Sequence, residues 1–286
     1  MAAVPTGLLL GLIGAHIQES RTPLMHEREA QALGIHCEYR LLDLDVLRLT
    51  PSDLADLLTR AEREGFAGLN ITHPCKQAVV PLLTEATADS RVLGAVNTVV
   101  LAGGLRSGHN TDWWGFRESL REGLPDAPLG RIVQLGAGGA GAATAYAALD
   151  LGARDVTVLD LEPERADQLA ARLDRAFPGR ICASTDLPSS LAAADGLIHA
   201  TPTGMKTHPG SAVSVSLLRP DLWVADVVYF PLETELLRAA RALGCRTLDG
   251  SGMAVYQAVE AFRLFTGLRA DVSRMKQWFS AAERVA

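Results

Sequence analysis

The stretch Ile132-Val-Gln-Leu-Gly-Ala-Gly-Gly-Ala-Gly141 carries glycine at 136, 138 and 141, a G-x-G-x-x-G spacing. It follows an apolar run (131–135) that reads as a strand and opens an alanine-rich segment (141–151) that reads as a helix. The spacing meets three needs: a tight turn, close backbone approach to a pyrophosphate, and close packing of helix on sheet. A diphosphate there would sit at the helix N-terminus, where free amide hydrogens and the helix dipole favour negative charge. Gly136, Ala137, Gly138, Gly139, Ala140 and Gly141 are therefore the expected cofactor loop. The same pattern also occurs in strand-to-helix turns that bind nothing. Here Asp160, at the end of the next predicted strand (155–160), stands where an acid hydrogen-bonds an adenosine ribose. That carboxylate repels a 2′-phosphate, and Leu161-Glu162-Pro163 offers no arginine to receive one, so NAD is expected rather than NADP. Arg165, the nearest cation, either covers an adenine or is solvated in the first turns of a helix.

Outward from this stretch, strands and helices alternate on both sides. The second half continues with a helix over 163–177, short buried strands over 196–200, 222–228 and 245–248, and a helix over 233–243. The first half reads as a strand (7–14), a helix from Pro23, and a strand near 39–44. A helix over 51–64 follows, with Leu54, Leu57, Leu58 and Ala61 on one stripe. Next come a strand over 66–71, a helix over 74–83 and a hairpin turning at Gly103-Gly104. From Met253 the chain is helical, with Val255, Val259, Phe262 and Phe265 on one face. Residues 122–130, rich in proline and glycine, read as a linker or loop between domains. The fold class expected is two α/β domains: residues 1–114 with 253–286 for substrate, and 115–252 as a Rossmann dinucleotide-binding domain, with the active cleft between them.

Composition narrows the function. Of 286 residues 48% are apolar and 21% charged, which supports a sizeable core and excludes disorder. Lysine and arginine number 27 against 33 aspartates and glutamates, so nucleic acid or an anionic membrane is not the expected partner. Cys37, Cys75, Cys182 and Cys245 are scattered, and the histidines show no ligand spacing; neither a disulfide framework nor a metal is expected. No apolar run is long enough to span a bilayer, and the start lacks a basic leader, which leaves a cytoplasmic protein.

Further motifs carry the chemistry. Gly68-Leu-Asn-Ile-Thr-His-Pro-Cys-Lys76, Gly94-Ala-Val-Asn-Thr98, Gly108-His-Asn-Thr-Asp112, Ala200-Thr-Pro-Thr-Gly-Met205 and Asp249-Gly-Ser-Gly-Met253, in that order, resemble the shikimate dehydrogenase superfamily. The likeness runs from about Gly11 to Phe265. Ser20-Arg-Thr-Pro23, the ending at Asp160 and Asp226-Val-Val-Tyr229 look most like its NAD-using quinate/shikimate dehydrogenase branch, where a threonine, here Thr22, replaces the second serine of an S-x-S motif. His199 and Trp113-Trp114 depart from the family pattern; the two tryptophans are either a bulky cleft rim or core packing.

The resemblance implies reversible oxidation of the ring 3-hydroxyl of quinate or shikimate, with Lys76 and Asp112 as the catalytic pair. It carries Ser20 and Thr22 to the substrate carboxylate, and Thr72, Asn97 and Gln257 to ring hydroxyls. Tyr229 would border the nicotinamide, and Thr201, Val228 and Gly250 would lie along the cofactor. Read alone, these residues keep other uses. Lys76 falls in the first turn of the predicted 74–83 helix, where a cation is misplaced and loses its proton more easily; an exposed lysine that merely solvates the helix is the more ordinary use. Asp112 could be a helix N-cap, Ser20 and Thr22 a capping cluster, Thr72 a cap, Asn97 a turn residue and Tyr229 a strand-end aromatic. Cys75 reads as a small buried thiol. An NADP-linked shikimate dehydrogenase, an aminoshikimate dehydrogenase and a nucleotide-sensing module without turnover are the alternatives. The resemblance leaves room for a homodimer.

Overall fold

The computed structural model describes residues 7–281; the first six and last five residues, which the expected first domain includes, lie outside the described residues. The chain forms two compact units, one running through Thr111 and resuming at Val255, the other Asp112–Ala254. Asp112 is thus grouped with the second unit, while its neighbour Thr111 belongs to the first.

The first unit holds six strands: β1 (Gly7–Gly14), β2 (His36–Asp43), β3 (Gly68–Ile71), β4 (Glu85–Ala86), β5 (Thr98–Ala102) and β6 (Leu105–His109). Their order is β2-β1-β3-β5-β6-β4. β1 runs parallel to β2 and β3, whereas β5 is antiparallel to β3 and β6. Gly103 and Gly104, at φ +59° and +77°, make the two-residue turn that only such residues adopt without strain. The stripe Leu54, Leu57, Leu58 and Ala61 is buried against Ile13, Leu69 and Ile71. Val255, Val259, Phe262 and Phe265 are buried along the helix Ser251–Thr266.

The predicted 51–64 helix divides into a 3-10 turn, Pro51–Asp53, and the helix Leu54–Glu64. The predicted 74–83 helix is one α turn, Cys75–Ala78, followed by the 3-10 turn Val80–Leu82. Pro81 explains the break, since it lacks an amide hydrogen and its ring crowds the carbonyl four residues back. Lys76 therefore stands on a single turn with little dipole, and the argument from a helix N-terminus does not apply to it. The strand Glu85–Ala86 and the helix Ala88–Leu93 are too short to show a period in the sequence.

The second unit holds β7 (Arg131–Leu135), β8 (Asp155–Leu159), β9 (Ile181–Ala183), β10 (Gly196–His199), β11 (Trp223–Asp226) and β12 (Thr247–Leu248). All pair in parallel, in the order β12-β11-β10-β7-β8-β9. Counted from β7 this is 3-2-1-4-5-6, the Rossmann arrangement, with the chain reversing between β7 and β10. Val133, Leu135, Leu197 and Val224 of the sheet bury against Leu236 and Leu237 of the helix Glu235–Ala242. Residues 122–130 are not a link between units. They join the helix Thr111–Gly123 to β7 within the second unit, where Pro128 O accepts the indole N–H of buried Trp223 at 2.9 Å. Proline and glycine there mark a loop rather than a boundary. Trp113 packs edge-on to Tyr146 at 5.0 Å between centroids, so core packing accounts for that ring.

His26 in the first unit is fully buried among the rings of Tyr39, Phe262 and Phe265, and neither of its nitrogens finds a partner among the described residues. Burial lowers its pKa from 6.5 to about 3. The folded state binds this proton less readily than the unfolded state, so stability is fully present above pH 6.5 and falls as pH drops toward 3. By about pH 4.5 the loss amounts to about 2–3 kcal/mol. Urea unfolding of His26→Leu and of the parent at pH 7.5 and 4.5 should show their stability difference moving in the variant's favour by that amount; equal pH dependence would refute the assignment.

Among the described residues no helix is long and apolar enough to cross a membrane.

Candidate functional site

At the carboxyl end of β7 the glycine-rich turn is shaped by close approaches. A Cβ on Gly136, at φ +98°, would lie 2.5 Å from Ala200 O. One on Gly141 would run into Gly136 O, so the helix start packs directly on the turn. Gly138 caps the helix Gly139–Asp150 without a side-chain bond, and a Cβ there would meet nothing within 4 Å. The first helical bond from this end is Ala142 N to Gly138 O at 2.8 Å. The amides of Gly139, Ala140 and Gly141 precede it and have no place in the helical ladder. Open space over amides at a helix start fits a dinucleotide pyrophosphate.

Gln134 fastens this turn from beneath. Its Nε2 donates to Gly136 O and Gly141 O at 3.0 and 2.8 Å, and its Oε1 accepts Thr144 Oγ1–H at 2.7 Å. Both side chains are fully buried. Sequence reading missed this pair, although a lone glutamine within an apolar strand is a usable signal, since buried amides must be bonded.

Asp160 lies just past β8. Its Oδ2 accepts the Ala137 amide at 2.7 Å and its Oδ1 the Glu162 amide at 3.0 Å. The acid expected to read a ribose thus also pins the glycine turn. Arg165 pairs with Glu162 at 2.8 Å on the exposed surface of its helix. Thr201 follows β10, Val228 and Tyr229 follow β11, and Gly250 follows β12, so the expected cofactor residues share the carboxyl end of this sheet. A Cβ on Gly250 would strike Val227 O, which holds the turns after β11 and β12 together. Tyr229 is 48% exposed and Val228 buried. A cavity of about 310 Å³ between residues 204–210 and 230–238 is lined by none of the expected site residues.

In the first unit the register gathers the substrate candidates at one end of the sheet. Ile13 of β1 pairs with Ile71 of β3, Asn70 with Thr98 of β5, and Thr98 with His109 of β6. Ser20 and Thr22 follow β1, Thr72 and Lys76 follow β3, and Asn97 precedes β5. Gly14 is glycine because Thr72 and His73 pass over it, with Ala15 N bonded to His73 O at 2.9 Å. Lys76 O accepts Val96 N at 2.9 Å, tying the lysine turn to the Asn97 segment. Asn97 Oδ1 accepts the Thr111 amide at 2.7 Å and its Nδ2 donates to Thr111 Oγ1 at 3.0 Å, fixing the residue just before Asp112. Asn70 extends this buried ladder: it accepts from the Tyr39 hydroxyl at 2.8 Å and donates to Thr98 Oγ1 at 3.2 Å. Tyr39, Asn70, Thr98 and Thr111 take no role in the sequence reading, because their hydrogen bonds join separate elements and leave no spacing along the chain.

The remaining candidates divide. Ser20 Oγ accepts the Thr22 amide at 3.3 Å, so it serves the start of the helix Thr22–Ala32. Asp112 lies within the first turn of Thr111–Gly123 rather than at its cap. Gln257 lies half-buried on the helix Ser251–Thr266. Burial raises the Cys75 pKa, which leaves a packed thiol rather than a nucleophile. Among the described residues no group of three or more histidines, cysteines and acids could hold a metal.

A Rossmann sheet with a glycine-rich turn after its first strand and an acid after its second defines a dinucleotide-binding protein. The chain belongs to the shikimate dehydrogenase family. Residues 12–99 match the shikimate dehydrogenase substrate binding domain, and residues 250–277 the shikimate 5′-dehydrogenase C-terminal domain. It is 57% identical over 270 residues, 93% of each chain, to a shikimate dehydrogenase (NADP(+)) of Streptomyces avermitilis. It is 53% identical over 276 residues to a quinate/shikimate dehydrogenase (NAD(+)) of Corynebacterium glutamicum, covering 95% of this chain and 98% of that one. Quinate dehydrogenase from Corynebacterium glutamicum, solved in complex with NAD, superposes with a TM-score of 0.93 at 52% identity, over 96% of this chain and 99% of that one. Relatives named for NADP and for NAD stand at similar identity, so overall likeness does not choose the nucleotide.

Proposed function

We propose that the protein is an NAD-dependent dehydrogenase that reversibly oxidises the ring 3-hydroxyl of quinate or shikimate to the 3-dehydro ketone. The observation that carries this reading is the gathering of Ser20, Thr22, Thr72, Lys76 and Asn97 at one end of the first sheet, with Thr111 bonded to Asn97 and Asp112 next in the chain. Asp160 supports NAD, because its carboxylate already sits against the glycine turn and would repel a 2′-phosphate. NAD, when bound, supplies the hydride acceptor. The uncharged Lys76 amine takes the hydroxyl proton as the ketone forms and returns it in reduction. Asp112 hydrogen-bonds the same hydroxyl and orients the lysine. Ser20 and Thr22 hold the carboxylate, Thr72, Asn97 and Gln257 the ring hydroxyls, and Tyr229 borders the nicotinamide. The reading entails small-molecule substrates, no nucleic acid and a cytoplasmic location, and it accommodates a homodimer.

Initial rates with quinate and shikimate, each with NAD and NADP, test it. NADH should form with at least one acid, and kcat/KM should favour NAD about tenfold or more over NADP. Absence of turnover with both acids would overturn the proposal and favour a nucleotide sensor.

A further inference from the structure

His199 and Asp226 are both buried in the second unit, each 1% exposed. Asp226 Oδ1 lies 2.9 Å from His199 Nδ1 and accepts the Val228 amide at 3.0 Å; its Oδ2 accepts the Thr234 hydroxyl at 2.7 Å. A carboxylate serving three donors only accepts, so the hydrogen between the two side chains sits on Nδ1. His199 Nε2 lies 2.6 Å from Thr201 Oγ1. With its hydrogen on Nδ1, His199 presents the Nε2 lone pair, and the Thr201 hydroxyl donates to it. Thr201 Oγ1 also accepts the Thr203 amide at 3.3 Å, and Thr234 Oγ1 accepts the Leu237 amide at 3.2 Å at the start of the helix Glu235–Ala242. One imidazole thereby joins the turn after β10 to the turn after β11 and to the following helix.

We propose that His199 is a positioning residue for the dinucleotide. It turns the Thr201 hydroxyl hydrogen inward, leaving an oxygen lone pair for an N–H or O–H donor of the cofactor, and through Asp226 it fixes Val228 in the neighbouring turn. A hydroxyl free to rotate would offer donor and acceptor alike; this one is committed before ligand arrives, which lowers the ordering cost of binding. The inference rests on the NAD reading above.

A double-mutant cycle on the full-length protein tests it. His199→Asn keeps a side-chain amide near Nδ1, so Asp226 retains a donor, but places nothing at Nε2. Thr201→Val removes the hydroxyl at similar volume. NAD dissociation constants come from tryptophan fluorescence, and amide exchange at Thr203 is followed without nucleotide. Each single variant should weaken NAD binding by about three- to tenfold, and the double variant no further than either single, because both break one link. Exchange at Thr203 should quicken in His199→Asn. His199→Gln, whose longer amide reaches Thr201, should bind NAD more tightly than His199→Asn, which keeps the test open if the asparagine variant misfolds. Additive losses, or His199→Asn with the parent's affinity and exchange, would overturn the role of His199. Failure of the parent to bind NAD would instead defeat the functional reading.

Discussion

Replacing Lys76 with alanine should lower kcat by about 100- to 10,000-fold while NAD affinity stays within about twofold of the parent, the loss expected of the general base proposed above. Lys76 stands on a single turn between β3 and Pro81, and its carbonyl is tied to Val96. Alanine keeps that backbone, so the fold and the glycine turn of the other unit are left unchanged. In the proposed reaction the amine is required only while the hydroxyl proton leaves, so the cost should fall on kcat more than on substrate KM. Steady-state kinetics at saturating NAD make the measurement. A variant with unchanged kcat would remove Lys76 from the chemistry.

Asp160→Ala carries the second large effect. The carboxylate accepts the Ala137 amide at 2.7 Å and the Glu162 amide at 3.0 Å, so its removal leaves the glycine turn and the start of the next helix each without an acceptor. It also removes the charge that would repel a 2′-phosphate. A hydrogen bond to a charged group contributes about 1.5–3 kcal/mol, so KM for NAD should rise about tenfold or more. KM for NADP should rise less, because loss of repulsion offsets loss of turn order. The ratio of kcat/KM for NAD over NADP should therefore drop by the factor by which the rise in KM for NAD exceeds that for NADP. A variant retaining the full ratio would show that Asp160 holds the turn without reading the nucleotide.

Both halves of the fold could be read from sequence where periodicity and glycine spacing act locally. The stripe from Leu54 to Ala61 and the face from Val255 to Phe265 are buried as their spacing requires. The turn from Gly136 to Gly141 lies where a strand meets a helix. Readings failed where a single residue overrides a pattern. Pro81 ends a helix that the apolar residues around it would extend, and Trp223 fixes Pro128 so that a loop rich in breakers stays inside one unit. Lys76 is singled out by its motif alone, because helix-end electrostatics do not apply to a residue on one turn. Residues that support the expected site through buried hydrogen bonds left no repeating trace. Gln134, Asn70 and Asp226 each show as one polar residue in an apolar strand, and only the register reveals what each holds.

Single-turnover absorbance at the NADH band, with enzyme in excess over the acid that turns over, tests most directly whether Lys76 moves the proton. The parent should reach its full amplitude in a rapid phase, and Lys76→Ala should approach the same amplitude at least about 100-fold more slowly. Equal rates for the two proteins would contradict the account.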